Sequence, residues 1–195
     1  MANSPTAGRK PTVSPIPKDR RYLTPDEAHA VIDAAGRLGR YPERDKIMLR
    51  LMYRHGLRVS ELCDLQWHDV NLEAGSIHIK RLKLGKNSTH TCERDELGAL
   101  RRLQKASGSA YVFVSERNAP FSADALQKIV RRAGEAAGLG DGIHPHMFRH
   151  GCGFALLNQG VDQRLGMDYL GHKTQAMFIH YSEVSPERLR AVRVR

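Results

Sequence analysis

The chain has 195 residues, enough for one substantial domain with its own core, and carries 31 lysines and arginines against 21 acidic residues, a formal charge of +10. That excess predicts attraction to a polyanion, nucleic acid first, and no apolar run is long enough to span a membrane. Three unclustered cysteines at 63, 92 and 152 suit a reducing cytosol, and the N-terminus lacks the apolar stretch of a secretory signal.

Residues 1–21 hold prolines at 5, 11, 15 and 17 among Arg9, Lys10, Lys18, Arg20 and Arg21, a composition too poor in core-forming side chains to fold alone. They read as a mobile basic arm. Order is expected from Tyr22, with Thr24 as a cap, Pro25 at the first helical position and Asp26 and Glu27 at the positive helix end. This first helix should run to about Gly36. A second starts near Pro42, with Ile47, Leu49, Leu51 and Met52 as its apolar stripe and Gly56 as its stop.

Residues 57–65 then form a short helix with Val59, Leu62 and Leu65 inward. Arg58 falls at the junction of two packed helices, a rigid place to hold a cation, and Glu61 one turn later is set to orient it. Ser76 to Lys80 alternates as a half-buried strand, and Gly85 and Asn87 turn it back into a second, giving a hairpin with Lys83 and Lys86 at or near its tip. A hairpin lysine is ordinarily a solvated edge charge; reaching into a cleft, it becomes a mobile proton donor.

A helix over residues 93–107 should turn Leu97, Leu100 and Leu103 inward, and residues 111–114 are a short extended segment. Ser122 caps a helix through Ala137 with a basic side of Lys128, Arg131 and Arg132, ended by Gly138 and Gly140. In HPHMFRH, His146, Arg149 and His150 stand at i, i+3 and i+4, so a helix would set a permanent cation beside two groups that titrate near neutrality. Residues 162–169 form another helix, Gly171-His172 a turn, and residues 174–184 a helical segment carrying Tyr181. A metal reading of His146, His150 and Cys152 is weaker, because the HExxH glutamate and any CxxC pair are missing. The fold class expected is mainly α with a small antiparallel β-sheet.

Singly, Arg149 reads as a surface charge, His172 as a turn residue and Tyr181 as a half-buried aromatic. Together, GLRVSELCDLQW, HPHMFRH, DYLGH and a tyrosine nine residues after that histidine resemble the boxes of the tyrosine recombinases, the phage-integrase family. The resemblance spans residues 24–184, and RLKLGKNSTH followed by ELGALRRL, with the small size, is most similar to the fimbrial phase-switch invertases. It implies a catalytic domain over residues 22–184 and a basic tail, 185–195, that is a candidate to dock on a neighbouring subunit, with a DNA contact as the alternative. It also implies site-specific cutting and rejoining of DNA through a 3′-phosphotyrosyl link. By the same resemblance Tyr181 is the nucleophile, Arg58 and Arg149 clamp the phosphate, and Lys83 is the general acid, with Lys86 as the alternative. His146 assists proton transfer and His172 hydrogen-bonds the phosphate. No metal, cofactor or ATP is implied.

The partners implied are double-stranded DNA, further copies of the chain in a DNA-bound homotetramer, and, left open, an accessory DNA-bending protein. The site of action would be the cytoplasm, at the nucleoid. Many family members carry a helical core-binding domain before the catalytic one, and the residues before Thr24 are too few to form it. Two rivals share the chemistry or the fold: a type IB topoisomerase that nicks and religates, and a regulator that binds DNA without cutting.

Overall fold

A computed structural model describes residues 15–17, 19–81 and 85–172. Lys83, the predicted helical segment 174–184 with Tyr181, and the tail 185–195 therefore lie outside the described residues, as does the arm up to residue 14. Seven helices and three short strands make up the described part, a mainly helical domain with one small sheet, as the sequence predicts.

Helix α1 (Pro25–Ala35) begins in a reciprocal cap: the Thr24 hydroxyl accepts from the Glu27 N–H, and the Glu27 carboxylate accepts from the Thr24 N–H at 2.9 Å. Helix α2 (Pro42–His55) is the centre of the domain. Its Ile47, Met48, Leu49, Leu51 and Met52 are all buried, and it packs against α1, α4 (Arg94–Ala106) and α6 (Pro145–Asn158). It is buried on several sides because neighbouring helices surround it, wider than the single stripe expected.

α2 ends where glycine is required. Gly56 has φ 57°, in the left-handed region, and a Cβ there would lie 2.2 Å from Leu170 Cδ2. The missing side chain thus lets the end of α7 (Gln163–Leu170) close onto the start of α3 (Val59–Cys63). That contact joins two segments more than a hundred residues apart, and both carry candidate site residues.

The sheet is antiparallel in the order β1 (Val70–Asn71), β2 (Ser76–Ile79), β3 (Ser88–Thr91), with Ile77 facing His90 and Ile79 facing Ser88. Two residues are too few to show a period, so β1 had no signal in the sequence. Ile77 and Ile79 are buried, and the parity continues inward to Arg81. The segment at 111–114 pairs only through the isolated bridges Gln66 to Tyr111 and Val114 to Pro120.

Ser122 caps α5 (Ala123–Ala136) by accepting from the Ala125 N–H, and Asp162 caps α7 by accepting from those of Arg164 and Leu165. In α4, Leu97, Leu100 and Leu103 face inward as expected, Leu100 buried and the other two partly covered against the core, while Glu96, a carboxylate, is 0% exposed. Within the predicted arm, Ile16 packs on the core and its N–H donates to Leu139 O at 3.4 Å, while Arg20 pairs with Glu27.

Candidate active site

Three guanidinium groups converge on one carboxylate. Glu61, in the first turn of α3, accepts from Arg58 Nη1 at 2.6 Å and from the Arg58 backbone N–H at 2.9 Å. The oxygen that takes the Arg58 N–H also accepts from Arg81 Nη1 at 2.7 Å, and Arg149 Nη1 lies 4.0 Å from it. Glu61 itself is buried. Burial pushes its carboxyl up, but Arg81, Arg58 and Arg149 outweigh that and hold it below the usual carboxylate range.

Arg149 rises from the middle of α6 and points into the domain, 4% exposed. Its guanidinium donates to the carbonyls of Gly56 and Leu170, the latter at 2.6 Å. This corrects the shared-face expectation: His146 is exposed and His150 half-buried, while Arg149 turns inward. A 100° step per residue separates position 149 from 150 by enough to take them to different surroundings. The arginine is therefore fixed from both ends of the Gly56–Leu170 contact.

Gly171 ends α7 in the left-handed conformation, φ 65°, and turns the chain so that His172 is buried at 8% exposure beside the arginines. A Cβ on Gly171 would meet the Arg81 side chain at 2.7 Å, so that approach also requires glycine. Burial and then Arg149, Arg58, Arg81 and His150 push the His172 imidazole down to about 3. At neutral pH the ring is uncharged, a neutral hydrogen-bonding group among fixed cations.

A pH dependence follows. Above 6.5 the ring is neutral both folded and unfolded; between 6.5 and about 3 only the unfolded chain takes up the proton, so stability falls as pH falls through that window. Denaturant unfolding followed from pH 7 to 5, above the main carboxylate range, should show this slope. His172→Gln should flatten it by up to one proton, and an unchanged slope would contradict the assignment.

The residue that sequence reasoning missed is Arg81. It is fully buried at the side chain, donates to Glu61 and to the carbonyls of Gly56, His55 and Tyr169, and is pushed down in pKa by burial, against the pull of Glu61. Its fork is occupied by protein acceptors, so it braces the pocket instead of presenting to solvent. The signal was there: Ile77, Ile79 and Arg81 share strand parity. Of the three arginines Arg58 is the most open, with 23% of its side chain exposed against 5% for Arg149 and 0% for Arg81.

The described arms of the hairpin lie over this pocket. Arg81 touches Gly171, and a Cβ on Gly85 would be 3.2 Å from Gly171 O. Lys86, the alternative general acid, is exposed and 3.5 Å from Asp168 on the outer side of α7. His146 edges a groove with Arg20, Arg21, His144, Met147 and His150, its ring 6.3 Å from that of His144. The histidine of α6 whose charge reaches His172 is His150.

The model of the phage integrase family matches residues 21–188, which includes every candidate site position. The chain belongs to the phage integrase family. This family member is 38% identical over 176 residues to the type 1 fimbriae regulatory protein FimE of Escherichia coli K12, covering 87% of this chain and 88% of that one. Against FimB of the same strain the identity is 39% over 171 residues, with 85% of each chain covered. Tyrosine recombinase XerA of Pyrococcus horikoshii is 33% identical over 90% of this chain and 61% of its own. Among solved structures, XerA recombinase superposes with TM-score 0.76 at 27% identity, over 93% of this chain and 65% of that one. A XerH recombinase bound to its difH substrate shares the fold with TM-score 0.74 at 20% identity, over 88% of this chain and 53% of that one. The integrase is a site-specific DNA recombinase of the tyrosine type. Among the described residues no helix is long and apolar enough to cross a membrane.

Proposed function

We propose that this recombinase cuts and rejoins double-stranded DNA through a covalent 3′-phosphotyrosyl intermediate, with Tyr181 as nucleophile. The observation that carries the reading is Arg58 and Arg149 gathered on Glu61, with His172 buried beside those arginines. Three guanidiniums against one carboxylate leave an excess of two positive charges, and with neutral His172 the pocket suits the single charge of a phosphodiester and the second that develops during attack.

In this mechanism Arg58 and Arg149 hold the two non-bridging oxygens and His172 donates a further hydrogen bond. The Tyr181 oxygen forms a bond to phosphorus as the bond to the 5′-oxygen breaks. The phenol proton leaves with the help of His146, and Lys83 delivers a proton to the departing 5′-oxygen. One phosphate ester replaces another, so the reverse attack by a 5′-hydroxyl reseals DNA without ATP. Lys83 is favoured over Lys86 because Arg81 and Gly85, which bracket residues 82–84, both lie against Gly171, whereas Lys86 faces Asp168.

The same reading has residues 22–184 acting as the catalytic domain. Strand exchange needs paired copies on DNA, a homotetramer in which the tail 185–195 docks on a neighbour, with an accessory DNA-bending protein as an optional partner. The substrate places the protein in the cytoplasm, at the nucleoid. Net charge of +10 makes DNA affinity fall steeply with salt.

The test is incubation with nicked duplexes taken from DNA flanking the gene, followed by denaturing electrophoresis. A denaturant-resistant protein–DNA adduct is expected, and salt-sensitive binding without any adduct would instead favour a binding-only regulator. Lys83→Ala should slow cleavage by roughly 10²–10⁴-fold and recover on a substrate with sulfur at the 5′-bridging position, a leaving group that needs little protonation. Recovery of Lys86→Ala in its place would move the role to Lys86.

A further inference from the structure

Behind the arginine pocket, three buried side chains of different chemistry meet. His55 is the last residue of α2, Cys92 follows β3, and Glu96 lies in the first turn of α4. Their exposures are 2%, 6% and 0%, and one ligand-type atom from each lies within 4.8 Å of the other two. A hydrophobic core has no need of an imidazole, a thiol and a carboxylate at one point.

The orientation of each group is set from outside the cluster. Glu96 Oε2 accepts from the Glu93 N–H at 2.8 Å, closing the start of α4, which leaves Oε1 facing His55 Nε2 at 3.4 Å. His55 Nδ1 lies 3.3 Å from His90 Nδ1, and His90 Nε2 lies 2.9 Å from Ser88 Oγ. His90 is held flat on the Tyr169 ring at 3.8 Å. His55 Nε2 and Glu96 Oε1 are buried and have no hydrogen-bond partner. Arg54 Nη1 stands 3.5 Å from that oxygen, but its guanidinium is engaged by Asp95 at 2.7 Å. Buried polar atoms left in this state ask for an explanation.

We infer that His55 Nε2, Cys92 Sγ and Glu96 Oε1 form a binding site for a divalent transition-metal ion, with zinc the best match. Nitrogen, thiolate and carboxylate oxygen are the donor types zinc takes, at bonds of about 2.0–2.3 Å. Tetrahedral ligands at those lengths stand about 3.3–3.8 Å apart. The 3.4 Å between His55 and Glu96 already fits such an edge, and the 4.8 Å bound on the set asks Cys92 to move by about 1 Å. The other ring nitrogen of His55 is supported by the His90–Ser88 pair, the outer arrangement that fixes the tautomer of a metal-binding imidazole. A cleft of about 640 Å³ lined by His55, Glu96, Cys152 and Tyr169 supplies an entry path and room for water as the fourth ligand.

The ion would tie together α2, the end of β3 and α4. It would also stiffen the segment whose carbonyls hold the pocket, since His55 O accepts from Arg81 and Gly56 O from Arg149. The ion is separate from the phosphate chemistry.

The untagged full-length protein, freed of metal under reducing conditions, is titrated with cobalt(II). One equivalent should give an intense near-ultraviolet thiolate-to-cobalt band, bleached by zinc. The Cys92→Ser variant should lose the band, and Cys152→Ser, altered in the same cleft but outside the set, should keep it. X-ray absorption of the zinc-loaded wild type needs no variant and should show one sulfur near 2.3 Å with nitrogen or oxygen near 2.0–2.1 Å. Zinc should raise the thermal midpoint of the wild type and not that of Cys92→Ser. A nitrogen- and oxygen-only shell, or a thiolate band that persists in Cys92→Ser, overturns the site. Binding abolished by replacing His144 and His146 would overturn it too, assigning the ion to the surface histidines. None of these readouts depends on DNA cleavage, so the recombinase mechanism stands or falls separately.

Discussion

Tyr181→Phe is expected to bind flanking duplexes as the wild type does and to form no covalent adduct with them. The substitution removes one oxygen, the atom proposed to bond to phosphorus, and keeps the aromatic ring. The effect is all-or-none because phenylalanine offers no oxygen at that position to bond to phosphorus. Gel-shift affinity and denaturant-resistant adduct are measured on the same nicked substrate, so a binding defect cannot be mistaken for a chemical one. Persistence of the adduct in Tyr181→Phe would remove the nucleophile assignment. Its disappearance together with DNA binding would show instead that the hydroxyl carries part of the DNA interface.

Glu61→Ala should cost about 3–5 kcal/mol of stability, the typical result of removing one partner from a buried ion pair. The cost is large here because Arg81 has no exposure through which to hydrate its charge, and Arg149 lies close by, also buried. Glu61→Gln keeps the shape and part of the hydrogen bonding, so it should be less destabilised while still releasing the charge that orients Arg58. Arg58→Ala provides the contrast. Arg58 is partly exposed, and its loss should change stability little while lowering cleavage by roughly 10²–10³-fold, the usual effect of deleting one transition-state donor. Chemical denaturation of the three variants beside single-turnover cleavage separates the two roles. A Glu61→Ala protein as stable as the wild type would refute the carboxylate's place as the common anchor.

The role of Glu61 is only half legible in the sequence. Its spacing from Arg58, three residues along a short helix, was enough to pair them. Nothing local announced that Arg81 and Arg149 would arrive at the same carboxylate from 20 and 88 residues away. The residues flanking Arg149 in HPHMFRH suggested a charged surface, whereas the tertiary contact between Gly56 and Leu170 creates two carbonyl acceptors that draw it inward. Likewise, RDELGALRRL showed an amphipathic helix, yet only packing against α2 placed Glu96 out of solvent beside His55 and Cys92.

By itself the sequence determined the basic charge, the helices of the described residues with the caps at Thr24 and Ser122, the two paired strands from Ser76 to Thr91, and the order of boxes that identifies the family. These are legible because capping, periodicity and glycine stops act over a few residues, and because the motif residues keep their order along the chain. Tertiary structure alone decided which charges are buried, which arginine braces and which stays open, and that His172 enters the pocket as a neutral ring. Burial and electrostatic coupling depend on segments brought together from opposite ends of the chain, and local spacing carries no record of those distances.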